Sequence, residues 1–185
     1  MSCTEIFGFN KKGDAYKLGE IGNAFKGAMM VWNYLDKKYL PKYYPEWAKV
    51  LNGSKDELYY RTSDSEEIKK IWALFKSDKI ALTDKIVLGS TFDNVIVKKE
   101  NISKLLKTFR EFEGETSLKE QADLIEKAVE QNNNLIAVAW NQTSINGDNW
   151  TNYHYDDAKD EYSPYNIFKD TGHWELFEEY KNVGD

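Results

Sequence analysis

A chain of 185 residues is long enough for one domain that buries around 70% of the surface its unfolded form would expose, so it needs no covalent staple. Its 31 acidic side chains against 25 basic ones leave a net charge of −6, which excludes a broad attraction to nucleic-acid phosphates over the whole surface. One cysteine, Cys3, excludes an internal disulfide framework and an all-cysteine zinc site, and it fits a reducing compartment.

No stretch approaches the roughly 18 apolar residues of a membrane span. The start MSCTEIFGF has no basic segment followed by an apolar one, so no secretion signal is expected and the cytoplasm is the expected location. The N-x-S/T triplets at Asn52, Asn101, Asn141 and Asn149 are silent there.

Cys3 to Phe9 alternates apolar and polar residues, meets Asn10-Lys11-Lys12-Gly13 and continues in Asp14 to Leu18, which predicts an opening hairpin with Gly13 at positive φ. Across Gly22 to Leu40, Phe25, Met29, Trp32, Leu35 and Tyr39 recur at helical spacing, with Asn23 as N-cap and Pro41 as the stop. Lys42 to Thr62 is broken by Pro45, by tyrosines and by the Asn52-Gly53-Ser54 turn, and predicts only a short helix around Glu46 to Leu51. Ser63-Asp64-Ser65-Glu66 has capping-box spacing ahead of Ile68, Ile71, Trp72 and Phe75, which predicts a helix from Ser65 to Lys76. A short helix from Leu82 to Leu88 should end at Gly89, and the β-branched Val95, Ile96 and Val97 read as a third strand. Asn101 is expected to cap a helix that buries Ile102, Leu105, Leu106, Phe109 and Phe112. A second capping box, Ser117 to Glu120, should open a helix that buries Leu118, Ala122, Ile125 and Val129.

Leu135 to Ala139 is a continuous apolar run, the pattern of a central strand buried on both faces. Beyond it come amides, hydroxyls and two indoles, up to Trp150. Two readings stay open: Asn146-Gly147-Asp148 is a turn with Trp140 and Trp150 in the core, or the strand end carries a site. The tail from Thr151 to Asp170 is acidic and rich in tyrosine, which predicts a long surface loop, ordered against a partner. A last helix is expected around Trp174 to Tyr180. The order of elements gives a single α+β domain over residues 1–185, with a small, mainly antiparallel sheet of about four strands packed against several helices.

Common signature motifs are absent: there is no glycine-rich phosphate loop, no G-x-S-x-G elbow and no CxxC pair. No cofactor is expected. A metal would need His154 with Asp156 and Asp157, joined by ligands from elsewhere in the chain. Loss of Met1 would leave Ser2 as a terminal nucleophile beside Cys3, with Asn141 and Asn146 as oxyanion donors. That start looks like the opening of N-terminal-nucleophile hydrolases, some of which begin Met-Cys-Thr, although here a serine intervenes. Trp140, Asn141, Asn146 and Trp150, with Asp148 beside them, are candidates for a pocket that stacks and hydrogen-bonds a nucleotide-like signal. Tyr153, Tyr155, Tyr162 and Tyr165 with Asp156, Asp157, Asp160 and Glu161 are candidates for a protein-binding surface, with carboxylates facing lysines and arginines and tyrosines as anchors.

Read together, TEIFGF (Thr4 to Phe9), GEIGNAFKGAMMVW (Gly19 to Trp32), TDKIVLGSTFDNVIVKKE (Thr83 to Glu100), EFEGETSLKEQAD (Glu111 to Asp123) and IAVAWNQTSINGDNW (Ile136 to Trp150) resemble a family of small proteins encoded by phages and prophages of Gram-positive bacteria. The resemblance is one of whole blocks and brings no catalytic signature with it. It implies a context, because accessory phage proteins of this size often block host defence and some are anti-CRISPR proteins that act on Cas9. The partner so implied is a host defence protein or nucleoprotein complex, Cas9 among them. The expectation is a cytoplasmic protein that works by binding more than by catalysis.

Overall fold

The apolar run after Leu135 becomes the middle of a sheet. The structure, a computed structural model, describes residues 3–22, 27–43, 69–70, 73, 75–142 and 150–178. Strand β1 (Cys3–Phe9) turns through Asn10 to Gly13 into β2 (Ala15–Gly22), as the alternation requires. Then follow α1 (Ala28–Tyr43), α2 (Leu82–Gly89), β3 (Val95–Lys98), α3 (Lys99–Glu111), α4 (Leu118–Gln131) and β4 (Ala137–Gln142). The chain ends in β5 (His154–Asp156), β6 (Glu161–Ser163) and β7 (Trp174–Glu175). The main sheet has the order β2-β1-β4-β3-β7, and β5 with β6 forms a separate two-stranded sheet. All pairings are antiparallel except β3 with β7. The fold is α+β, with one strand more in its main sheet than the sequence suggested. Among the described residues no helix is long and apolar enough to cross a membrane.

Alternation along the strands divides the interior in two. Ile6, Val95, Val97, Val138 and Trp140 face the helices and join Leu105, Phe109, Leu118 and Ile125 in the larger core. Phe7, Phe9, Ile96, Ala137 and Ala139 point the other way, where Trp150 and Tyr165 cover them. The tail expected as a surface loop therefore roofs the second sheet face. The reason is apolar area: Phe7 and Phe9 would otherwise stand in water on that side.

Two helix boundaries differ from the expected ones, and a third lacks its expected cap bond. Pro41 lies inside α1, two residues before its end, instead of ending it; there it forfeits the N–H that would reach the Lys37 carbonyl in the last turn. Lys98, not Asn101, is the N-cap of α3, and the Asn101 amide instead donates to Glu175 Oε1 at 3.3 Å. Ser117 is the N-cap of α4, as expected, but its side chain makes no capping bond; its hydroxyl accepts from Gln121 Nε2 at 2.9 Å, while Gln121 Oε1 accepts from Trp140 Nε1. Where a helix was expected from Trp174 to Tyr180, Trp174 and Glu175 run extended along β3 and a turn follows at 176–178, while residues 179 and 180 lie outside the described residues. Trp174 N donates to the Asn94 carbonyl at 3.1 Å and Leu176 N to that of Ile96 at 3.0 Å, satisfying an otherwise open sheet edge. The Asn23 cap, the helix around Glu46 to Leu51, most of the helix from Ser65 and the Asn52 and Asn146 turns lie outside the described residues.

Candidate binding surface

The strand end at Trp140 sends its two indoles to different places. Trp140 lies on the helix side, and its Nε1 donates to Gln121 Oε1 at 3.0 Å. Trp150 lies on the opposite face, edge-on to Phe9 at 5.5 Å and to Tyr165 at 5.1 Å, and its Nε1 donates to the Trp140 carbonyl at 2.9 Å. Both rings are buried, with 5% and 2% of their surface exposed, and both N–H groups are spent inside the fold. The structure does not bring these indoles into one pocket. Asn146, Asp148 and Ser2 lie outside the described residues.

Asn141 joins a polar cluster at the far end of the second face. In β2 a bulge sets Ile6 opposite Gly19 but Phe7 opposite Lys17, so Leu18 is the extra residue. That extra residue flips the parity of the strand, and Lys17 and Glu20 both emerge beside Glu5 instead of on opposite faces. Lys17 Nζ lies 2.6 Å from both Glu5 Oε1 and Glu20 Oε2. The Glu20 hydrogen bond, then that of Glu5, holds the Lys17 ammonium well above the ordinary lysine range. Asn141 Nδ2 donates to Glu5 Oε2 at 3.2 Å. Cys3 Sγ and one oxygen each of Glu5 and Glu20 fall within 4.8 Å of one another, a donor set that suits a divalent cation. Lys17 already supplies the positive charge there.

The acidic tail is an ordered hairpin. Tyr155 stands opposite Tyr162 and Asp156 opposite Glu161, joined by the turn 157–160. Asp156 builds that turn: its Oδ1 accepts from Ala158 N at 3.0 Å and its Oδ2 meets Lys159 Nζ at 2.8 Å. Asp160 takes positive φ, 54°, and accepts the Tyr155 hydroxyl. A two-stranded hairpin is marginal in water by itself. Here the pairing continues inward, with Tyr153 N to the Ser163 carbonyl at 3.1 Å and Tyr165 N to that of Trp150 at 2.7 Å. Asn166 then clamps the segment to the first turn, donating to the Lys12 carbonyl at 2.9 Å and to Asp14 Oδ1 at 2.7 Å.

That anchoring separates the tyrosines by role. Tyr165 is core: its ring lies under Tyr153, centroids 4.7 Å apart, and its hydroxyl is 2.7 Å from His173 Nδ1. Tyr155 and Tyr162 touch each other at 4.8 Å and remain 48% and 61% exposed. Tyr153 is exposed as well, and so is Phe168. Within the segment 156–161 the carboxylates of Asp156, Asp157, Asp160 and Glu161 oppose Lys159 alone. His154 does not join Asp156 and Asp157 in a metal cluster; its Nε2 lies 3.0 Å from Asp170 Oδ1. Phe168 and Asn166 escaped notice in the sequence, although the spacing of Asn166 and Asp170 around a turn was a signal that a built corner stood there.

Compared with known proteins, the chain matches no family model, no curated sequence and no solved structure.

Proposed function

We propose that this protein works by binding, and that its β5–β6 hairpin docks onto the basic surface of a host defence protein or nucleoprotein complex and blocks it. One observation carries the reading: an exposed tyrosine pair, Tyr155 and Tyr162, stands on a rigidly anchored hairpin among four carboxylates and a single lysine. Exposed aromatic side chains held in place at low entropic cost make good interface anchors. Carboxylates around them favour lysines and arginines, the residues with which nucleic-acid-binding proteins hold phosphate, and they raise association rate and specificity more than raw affinity. The resemblance to phage-encoded proteins supports a defence target, and Cas9 is one concrete partner to try.

The test is capture from lysate of a Gram-positive host by tagged wild type, by Tyr162→Ala and by Asp157→Asn with Glu161→Gln, together with purified Cas9. The expected result is a nucleic-acid-handling protein that wild type retains, that the variants release and that its own nucleic acid competes off. Equal retention by wild type and variants overturns the hairpin as the binding surface.

A further inference from the structure

On the helical side, remote from the hairpin, α1, α2 and the end of α3 enclose a cavity of about 260 Å³. Its floor is Asp84, whose side chain is 4% exposed. Asp84 Oδ2 accepts the Tyr39 hydroxyl and sits 2.8 Å from Lys38 Nζ. Among the described residues Oδ1 accepts no hydrogen bond, so this cavity-lining carboxylate keeps acceptor capacity open on that oxygen. The rim carries Glu111 and Glu113. Glu113 is oriented by the Tyr34 hydroxyl at 2.9 Å, and Glu111 lies 3.8 Å from Lys107 Nζ. One wall is aromatic, Tyr34 against Phe112 with centroids 4.8 Å apart. Gly114 permits that approach, since a Cβ there would lie 2.6 Å from Phe112 Cε1 and 3.1 Å from Tyr34 Cγ.

Three carboxylates, Asp84, Glu111 and Glu113, stand against Lys38 and, beside Glu111, Lys107, so the cavity favours a cation, and Lys38 is already committed to Asp84 Oδ2. Among the described residues these carboxylates do not converge on one point, so they do not form a metal cluster. Acceptors spread around a wall match a cation whose donors are themselves spread. A guanidinium has five N–H donors in a planar fork, is weakly hydrated and lies well against aromatic rings, whereas an ammonium is a compact and strongly hydrated point charge. We propose that this cavity binds a guanidinium group on a short alkyl stem, with Asp84 Oδ1 and Glu113 as its acceptors and the Tyr34 and Phe112 rings against its stem. The site stands independently of the hairpin.

The test is an NMR titration of ¹⁵N-labelled protein at constant ionic strength with ethylguanidinium chloride, butylammonium chloride, sodium chloride and the peptide acetyl-Gly-Arg-Gly-amide. Saturable shifts of the Thr83, Asp84 and Glu113 amides with ethylguanidinium are expected, weaker with butylammonium and absent with sodium. Glu113→Gln keeps an oxygen for the Tyr34 hydroxyl but loses the charge, and should weaken binding about threefold to tenfold. Because Glu113 is exposed, that variant tests the site even if Asp84→Asn disturbs the fold. Tighter binding of the peptide than of ethylguanidinium assigns the site to an arginine of a protein, and the reverse assigns it to a free guanidine metabolite. Butylammonium binding as tightly as ethylguanidinium, or a Glu113→Gln variant that binds like wild type, overturns the proposal.

Discussion

The indole N–H of Trp150 donates to the backbone carbonyl of Trp140 at 2.9 Å, so two tryptophans ten residues apart are bonded although their rings fill different cores. That bond fixes where the C-terminal segment enters the second sheet face. Trp150→Ala would remove the largest side chain of that smaller core and leave a cavity between Phe9 and Tyr165. A loss of about 3–5 kcal/mol is expected, read by chemical denaturation. Tyr162→Ala, at the exposed tip, should stay within about 0.5 kcal/mol of wild type. A loss at Tyr162 as large as that at Trp150 would show that the tip is structural.

Gly13 gives the first turn its shape and the tail its seat. It holds φ at 91°, and a Cβ there would fall 2.5 Å from Phe168 Cδ2 and 2.8 Å from Asn166 Oδ1. Gly13→Ala should therefore strain the turn and lift the tail together, at a cost of about 1–3 kcal/mol. Hydrogen exchange that quickens at Ala15 and Ile167, whose amides donate to the Tyr165 and Gly13 carbonyls, is the accompanying sign. Ile167 N donates to Gly13 O at 3.0 Å. Unchanged exchange at Ile167 in Gly13→Ala would contradict this coupling.

Acid should loosen the same segment. Burial, then repulsion from Lys98, holds the His173 imidazole below its ordinary value. Burial raises the Tyr165 hydroxyl, which serves as donor to the neutral Nδ1 at 2.7 Å. The unfolded chain takes its proton at about pH 6.5 and the folded chain only lower, so over that window the unfolded state binds more protons and stability falls as pH falls. Below the folded value the loss levels off. Wild type should lose stability relative to His173→Asn between about pH 7 and pH 5. A difference that stays constant over this range would count against His173 as the titrating group.

Much of the frame was legible in the sequence because it rests on patterns that tertiary packing reinforces. The Leu135 run is apolar on both sides because helices cover one face and Trp150 and Tyr165 the other. Gly13 announced its turn for the same local reason that fixes it in the structure. The tail was misread because its composition is polar while its few apolar residues are decisive: Trp150 and Tyr165 are separated by a hairpin that carries most of its charge. Periodicity cannot register two anchors fifteen residues apart. The parity flip at Leu18, which gathers Glu5, Lys17 and Glu20, was equally hidden, since a bulge is set by pairing with a distant strand and not by the residues near it. Lys17 and Glu20 could not be seen as neighbours in a strand of regular alternation.

Asp157 and Glu161 differ from the other tail acids in a useful way. Asp156 builds the turn and Asp160 accepts the Tyr155 hydroxyl, so neutralising those two would confuse structure with binding. Asp157→Asn with Glu161→Gln should leave the unfolding midpoint within about 0.5 kcal/mol of wild type, as exposed substitutions do. A larger loss would mark either carboxylate as a structural group.

The most direct measurement is the association rate of the captured partner with wild type and with the Asp157→Asn, Glu161→Gln variant across a range of salt. If the hairpin docks on a basic surface, wild type should associate faster at low salt, by about tenfold, and the variant should show a clearly shallower dependence on ionic strength. Equal rates and equal salt slopes for the two proteins would contradict the assignment of the hairpin as the electrostatic docking surface.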